Sequence, residues 1–159
     1  MFFLGVSLTL VGATARASGL SPYETGILFS VQNLMNTISI LLFASLSDSF
    51  PKRIILAAGG ALTGIAIFFY FARPDLVFNL VVLAFVGFGI GSFDAGTDPL
   101  LLDLHKTRRE FFLATNHFFV TLGQLALTVA MVFLSLRWRS TVLVSGVLLL
   151  LFAGGFAFS

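Results

Sequence analysis

Polar side chains at helical spacing interrupt an apolar stretch in the last third of the chain. They are His117, Thr121, Gln124 and Thr128, at positions i, i+4, i+7 and i+11, so a helix would place all four on one face. We call this set the polar stripe. Hydroxyl, amide and imidazole groups can hydrogen-bond a polar solute, and a histidine can also exchange a proton near neutral pH. The alternative for His117 is a hydrogen bond to a neighbouring helix or a position near lipid headgroups.

A second polar group lies near the middle of another apolar stretch and contains three amides, Gln32, Asn33 and Asn36. Side-chain amides carry donors and acceptors, so they can contact a solute or form hydrogen bonds between helices. Both interpretations stay open from the sequence. Together with the polar stripe, this group supplies the predicted substrate-binding and translocation residues: Gln32, Asn33, Asn36, His117, Thr121 and Gln124.

Asp94 is the acidic residue placed furthest inside an apolar stretch. At about 1.5 Å per residue, it would lie about 27 Å along a helix that starts at residue 76, close to the end of a membrane span. This position predicts either a role in ion coupling or a solvated carboxylate at the membrane boundary. Asp98 precedes Pro99, where a helix would end or kink, so we predict a capping role for Asp98.

The composition identifies the environment of these groups. The chain is 58% hydrophobic and 10% charged, with 20 phenylalanines and a mean hydropathy of +1.04, which indicates an integral membrane protein. A net charge of +2 without a basic face argues against nucleic acid. The lack of cysteine excludes disulfides and thiol chemistry. No Walker loop, HExxH or GxSxG sequence occurs, so we expect neither an enzyme nor a bound metal or cofactor.

Six apolar stretches are long enough to cross a bilayer as helices, since a span needs about 20 residues. The runs are continuous and lack the alternation of barrel strands. The sequence therefore predicts an all-α membrane fold with one domain over residues 1–159 and short connections between antiparallel neighbours. The predicted helices cover approximately 2–21, 25–47, 53–72, 76–97, 111–136 and 140–158.

Polar and small residues divide these helices into two groups. The first, second, fourth and fifth contain polar side chains in the span, whereas the third and sixth are almost purely apolar. Polar groups turn away from hydrocarbon, so we expect four helices to line a cavity or interface and two to face lipid. Repeated glycines predict close contact between helix backbones. These are the heptad repeat Gly5, Gly12 and Gly19 and the GxxxG pairs Gly60–Gly64 and Gly87–Gly91.

The distribution of cations sets the predicted orientation. Five cations flank the connections after the second and fourth helices, and four lie on the other side. The positive-inside rule then places both termini in the cytoplasm, in a multi-pass protein of the plasma membrane. The five are Lys52, Arg53, Lys106, Arg108 and Arg109, and the four are Arg16, Arg73, Arg137 and Arg139.

The connection between the second and third helices resembles a signature of the major facilitator superfamily, which is approximately G-x-L-A-D-R-x-G-R-R. The chain has ASLSDSFPKR at residues 44–53, so Leu46, Asp48, Lys52 and Arg53 match. The departures are alanine at 44, serine at 49 and proline at 51. By this resemblance Asp48, Lys52 and Arg53 would form a gating-loop latch against a second half of the transporter. A loop that holds orientation by charge alone is the alternative.

The resemblance covers essentially the whole chain, as the N-terminal six-helix half of a twelve-helix bundle built on 3+3 repeats. It implies a secondary-transporter half that moves a small polar solute by alternating access, with a proton or cation as a candidate coupling ion. The expected partners are membrane lipid and a second six-helix half. That half would belong to the same longer chain, which the bounds at Met1 and Ser159 favour, or to a homodimer. A scaffold or regulator that binds partner helices is the alternative function.

Overall fold

The structure is a computed structural model that describes residues 1–15, 17–46, 49–133 and 138–158. Within these ranges the chain forms six helices and no strand, which confirms the predicted all-α fold. The helices are α1 (Phe2–Thr14), α2 (Pro22–Leu46), α3 (Lys52–Phe69), α4 (Leu76–Leu104), α5 (Arg109–Phe133) and α6 (Trp138–Phe158). By length and composition, α2 to α6 can each cross a membrane, and α1 is a shorter apolar helix of 13 residues.

Glycine and a capping box organise the connection between α1 and α2. The Leu20 N–H donates to the carbonyl of Ala15 at 3.1 Å, and Gly19 has a φ of 75°, a conformation that glycine adopts in turns without a steric cost. Ser21 and Glu24 then cap α2 reciprocally, through Ser21 N–H to the Glu24 carboxylate at 2.9 Å and Glu24 N–H to Ser21 Oγ at 3.2 Å. Helix α1 ends at Thr14, seven residues before the predicted end at residue 21, and α2 starts three residues earlier than predicted.

Helix α4 is longer than the sequence predicted, because it continues through Pro99 to Leu104. A proline removes one backbone hydrogen bond, but membrane helices tolerate this where neighbouring helices support them. Helix α3 gives that support, since Leu56 packs over Gly96 and Lys52 pairs with Asp103. The prediction that a helix ends at Asp98, with Asp98 as its cap, is therefore wrong.

Buried contacts of one asparagine hold the turn between α3 and α4. Asn79 is 1% exposed and its Nδ2 donates to the carbonyls of Arg73 and Asp75 at 2.9 and 2.7 Å. Its Oδ1 accepts a hydrogen bond of 2.8 Å from the N–H of Phe71, a residue held at a φ of 54°. These bonds satisfy backbone groups that the turn would otherwise bury unpaired.

The helices pack in pairs related by an internal repeat. Helix α4 packs along α2 and α3, α1 packs along α5, and α3 packs along α6. In a 3+3 repeat α1, α2 and α3 correspond to α4, α5 and α6. The α2–α4 pair then corresponds to the α5–α1 pair, and the α3–α6 pair corresponds to itself. The contacts run in parallel for α1–α5 and α2–α4 and antiparallel for α3–α4 and α3–α6. This is the arrangement expected of a 3+3 repeat.

Glycines form the seams between the paired helices. A β-carbon at Gly87 would overlap the carbonyl oxygen of Gln32 and lie 2.9 Å from its carbonyl carbon. A β-carbon at Gly59 would lie 2.8 Å from the carbonyl oxygen of Gly89, and one at Gly89 would lie 2.9 Å from that of Gly59. Such seams let membrane helices associate through backbone contact. Helix α4 is the most deeply enclosed, while α2 and α5 each leave a broad apolar face uncovered.

Aromatic side chains close the bundle at the end where α6 begins, which we call the Trp138 end. Tyr70 is 2% exposed, its ring packs edge-on against Phe71 and Trp138, and its hydroxyl lies 3.1 Å from Thr14 Oγ1. Burial raises the pKa of Tyr70 to about 12, and the hydrogen bond to Thr14 acts in the opposite direction. The opposite end of the bundle, with Lys52 and the connection 105–108, we call the charged end.

Because the Tyr70 phenol is buried, we predict that it titrates at a high pH. Burial favours the neutral form, so stabilisation by Tyr70 is complete below pH 10, the ordinary pKa of tyrosine, and is lost as the pH rises through about 12. In a Tyr23→Phe background, which leaves Tyr70 as the single tyrosine, phenolate absorbance should have its midpoint near pH 12. Thr14→Val should move the midpoint higher, because it removes a hydrogen bond that favours the phenolate. A midpoint near 10 would contradict burial of this phenol.

Candidate functional site

The amides of α2 lie at its seam with α1 and α4. Gln32 is 1% exposed, and its Nε2 donates to the carbonyl of Ser7 in α1 at 3.0 Å. Its Oε1 and the Oδ1 of Asn36, one turn further along α2, are buried without a hydrogen-bond partner in the described part of the chain. Asn36 Oδ1 lies against Gly91 of α4, so these unpaired acceptor oxygens are enclosed at the seams of α2, where a missing partner costs free energy.

The third amide has a different environment. The Nδ2 of Asn33 donates to the carbonyl of Phe29 at 2.8 Å, and the Asn33 carbonyl accepts a bond of 3.0 Å from Thr37 Oγ1. Both bonds lie within α2, and the Asn33 side chain is half-buried. Asn33 is thus turned away from the α1 contact that Gln32 makes.

The polar stripe lies along α5 as its spacing predicted. His117, Thr121 and Thr128 are exposed and Gln124 is half-buried. Thr121 and Thr128 donate to the carbonyls of His117 and Gln124 at 3.1 and 2.9 Å, so their hydroxyl oxygens keep free lone pairs.

Helix α1 lies between α2 and α5. On one side Gln32 bonds to Ser7, and on the other a β-carbon at Gly123 would lie 2.9 Å from the carbonyl carbon of Phe2. The structure therefore places Gln32 of α2 and the Gly123 segment of α5 on opposite flanks of α1. They form two walls rather than one cluster.

A carboxylate cluster joins α4 to the start of the stripe. Asp98 Oδ1 accepts a hydrogen bond of 2.8 Å from Asn116 Nδ2, and Asp98 Oδ2 lies 3.6 Å from His117 Nε2. Asp94 lies one turn back on α4, half-buried. Sequence reasoning missed Asn116 and the pairing of Asp98, although the i, i+4 spacing of the two aspartates already placed them on one face of α4.

Charged residues at the charged end also pair. Lys52 Nζ contacts Asp103 Oδ2, which joins the start of α3 to the end of α4. Arg53 is exposed, and Asp48, the remaining residue of the predicted latch, lies outside the described residues. Asp103 did not figure in the sequence prediction, because 51 residues separate it from Lys52. The described residues contain no group of three His, Cys, Asp or Glu side chains that could hold a metal ion.

The comparison with protein families assigns the chain. The family model described as Major Facilitator Superfamily matches residues 1–158. The chain belongs to the major facilitator superfamily. No curated protein and no solved structure matches it significantly. The resemblance seen in residues 44–53 is thus confirmed over nearly the full length.

Membership of this superfamily makes the chain part of a multi-pass membrane transporter of the facilitator type. It also accounts for the six apolar helices, the paired repeat and the lipid environment that the composition indicated. The superfamily acts on small solutes, and the groups described above supply hydrogen-bonding side chains on three helices, α2, α4 and α5.

Proposed function

We propose that the chain is one half of a secondary transporter that moves a small polar solute across the plasma membrane by alternating access. The observation that supports the proposal is the presence of an amide on each flank of α1: Gln32, which donates to Ser7, on the α2 side, and Gln124, beside Gly5, on the α5 side. Asn36 lies one turn beyond Gln32 on α2, against Gly91 of α4. A half bundle leaves both walls open, whereas a second half placed over α1 encloses them. Gln32, Asn33, His117 and Thr121 belong to the same proposed site.

The uncovered faces of α2 and α5 support docking of a second half. Large apolar side chains on these helices are 38–75% exposed, a density that suits lipid or a partner helix better than water. The second half belongs either to the same longer chain or to a second copy, since halves of this kind are related by an axis along the membrane normal. The exposed side chains include Phe29, Leu34, Ile38, Phe118, Leu122 and Leu125.

Charged groups at the charged end are proposed to regulate access. Lys52 already ties α3 to α4 through Asp103, and the exposed Arg53 is free to meet the second half. With Asp48, these cations form the proposed latch. By the positive-inside rule, the cation-rich connections favour a cytoplasmic location for this end and for both termini.

Asp94 is the proposed ion-coupling carboxylate, with Asp98 and His117 as its titratable neighbours. A cation or proton held between α4 and α5 would change the charge balance of the Asp98–His117 contact of 3.6 Å. Such a change links solute binding to the relative position of the two helices.

Uptake by the reconstituted protein tests the proposal. Vesicles containing the protein purified from its source membrane should take up at least one member of a panel of radiolabelled sugars, polyols and amino acids. Asn36→Ala and Gln124→Ala should each reduce that uptake about tenfold, the equivalent of one lost hydrogen bond. Ser145→Ala is the matched control on α6, where the hydroxyl donates only to the Thr141 carbonyl.

Two results would contradict the proposed site and function separately. Unchanged uptake in both amide variants would remove Asn36 and Gln124 from the site while transport stands. If the parent protein takes up no solute and is recovered bound to another membrane protein, the scaffold function is favoured instead.

A further inference from the structure

Two glycines of the α1 heptad repeat have opposite surroundings. A β-carbon at Gly5 would overlap the carbonyl oxygen of Val120 in α5 and lie 2.8 Å from its carbonyl carbon. A β-carbon at Gly12, two turns further along α1, would have no atom within 4 Å. Helices α1 and α5 therefore touch through their backbones at the first turn of α1, beside the middle of α5, and separate towards the Trp138 end.

Gly12 is the shared wall of two cavities. On the α5 side a cavity of about 580 Å³ is lined by Thr9, Gly12 and Thr128 among others. On the α2 side a cavity of about 590 Å³ is lined by Gly12, Thr25 and Gly26 among others. Because Gly12 borders both, the two spaces meet at α1, and a side chain at position 12 would project between them. We call the two spaces together the groove.

The walls of this groove offer hydrogen-bond acceptors. Thr9, Thr25 and Thr128 each donate their hydroxyl hydrogen to a carbonyl of their own helix, at 3.1, 2.9 and 2.9 Å. A hydroxyl has one hydrogen and two lone pairs, so each oxygen is left as an acceptor. None of the described residues lining the two cavities carries a formal charge. An uncharged solute with O–H or N–H donors fits these walls, because an ion would lose its hydration without a counter-charge.

We propose that Gly12 sets the width of a solute groove for small uncharged molecules that carry hydroxyl or amide donors. The proposal rests on the transport function proposed above and deepens it, since it names the class of solute and the position that limits its size. Absence of a side chain at position 12 keeps the groove open on both flanks of α1.

Thiol labelling tests the groove without knowledge of the solute. The chain has no cysteine, so Thr128→Cys provides a single reporter on the α5 wall. In vesicles containing the full protein, a water-soluble thiosulfonate should modify this cysteine. Adding Gly12→Phe should slow the reaction by about tenfold or more, because the ring fills the space that the reagent crosses. Gly12→Ala should have a smaller effect.

A matched control uses the same substitution on another helix. A β-carbon at Gly155 of α6 also has no atom within 4 Å, so Gly155→Phe should leave the rate at position 128 unchanged. Helical circular dichroism reports whether the Gly12→Phe protein is still folded, and the exposed Thr107→Cys, in the connection before α5, reports how much of it the reagent reaches. Its labelling should not change.

Reagent charge tests the proposed class of solute. A neutral thiosulfonate should react faster at position 128 than its cationic and anionic analogues, relative to their rates at position 107. No reaction at position 128 in the parent, or equal rates with glycine and phenylalanine at position 12, would overturn the groove. Equal relative rates for all three reagents would overturn the uncharged class. Uptake by the parent protein tests transport itself, so the two proposals can fail separately.

Discussion

Gly87→Ala is expected to destabilise the bundle by about 3 kcal/mol or more, since overpacking against an immobile neighbour costs about 1–3 kcal/mol and the obstacle here is backbone. The added β-carbon would overlap the carbonyl oxygen of Gln32, so α2 and α4 would have to move apart. Their separation would also disturb the buried amides beside the seam. Thermal unfolding of the detergent-solubilised protein, followed by loss of helical circular dichroism, measures the effect.

Glycines without neighbours provide the control. Gly12→Ala and Gly26→Ala add the same methyl group where no atom lies within 4 Å. Alanine favours helix over glycine by about 1 kcal/mol, so these variants should unfold at the parent temperature or slightly above it. If Gly87→Ala behaves like them, the close contact between α2 and α4 is wrong.

Asn79→Ala is expected to cost about 3 kcal/mol, because each backbone group left buried and unpaired costs about 1–3 kcal/mol. The substitution removes the acceptor for the Phe71 N–H and the donor to the Arg73 carbonyl. The turn between α3 and α4 would lose its anchor while the spans stay intact. The same thermal unfolding measurement reports the loss, and protease sensitivity near residue 73 should rise.

Two further substitutions distinguish the effect of the lost Asn79 hydrogen bonds from the effect of the lost side-chain volume. Asn79→Asp keeps an acceptor for Phe71 but lacks the donors and directs a carboxylate at two carbonyls, so it should not restore stability. Asn33→Ala removes an amide whose bond stays within α2 and should change stability by less than about 0.5 kcal/mol. Parent-like stability of Asn79→Ala would show that the turn is held by other contacts.

The sequence predicted the helices better than their contacts. Continuous apolar runs identify spans because a bilayer fixes their length, and all six helices occur where such runs do. The end of α4 was missed because the support that α3 gives on both sides of Pro99, through Leu56 at Gly96 and Lys52 at Asp103, depends on tertiary packing. Gly5 and Gly12 show the same limit: the heptad spacing makes them equivalent, and only the arrangement of α5 separates a packed glycine from an open one.

The candidate site was predictable by residue type but not by grouping. The amides and the polar stripe were recognisable because polar side chains in a span need a partner or a cavity. The placement of Gln32 and Gln124 on two flanks of α1, and the pairs Asp98–Asn116 and Lys52–Asp103, join residues far apart in the chain. A single sequence carries no information on such pairs, since nothing in the local spacing specifies them.

The contrast between the two ends of α1 gives this helix the mechanics of a lever. Backbone contact with α5 fixes the helix at Gly5, and empty volume borders it at Gly12. The arm from Gly5 to Thr14 is about 14 Å long, so a tilt of about 10° displaces its far end by about 2 Å. That displacement narrows one flanking cavity, widens the other and breaks the hydrogen bond between Thr14 and Tyr70, so this bond holds the far end of the arm in place. A tilt of α1 that is caused on one flank therefore changes the size of the cavity on the opposite flank.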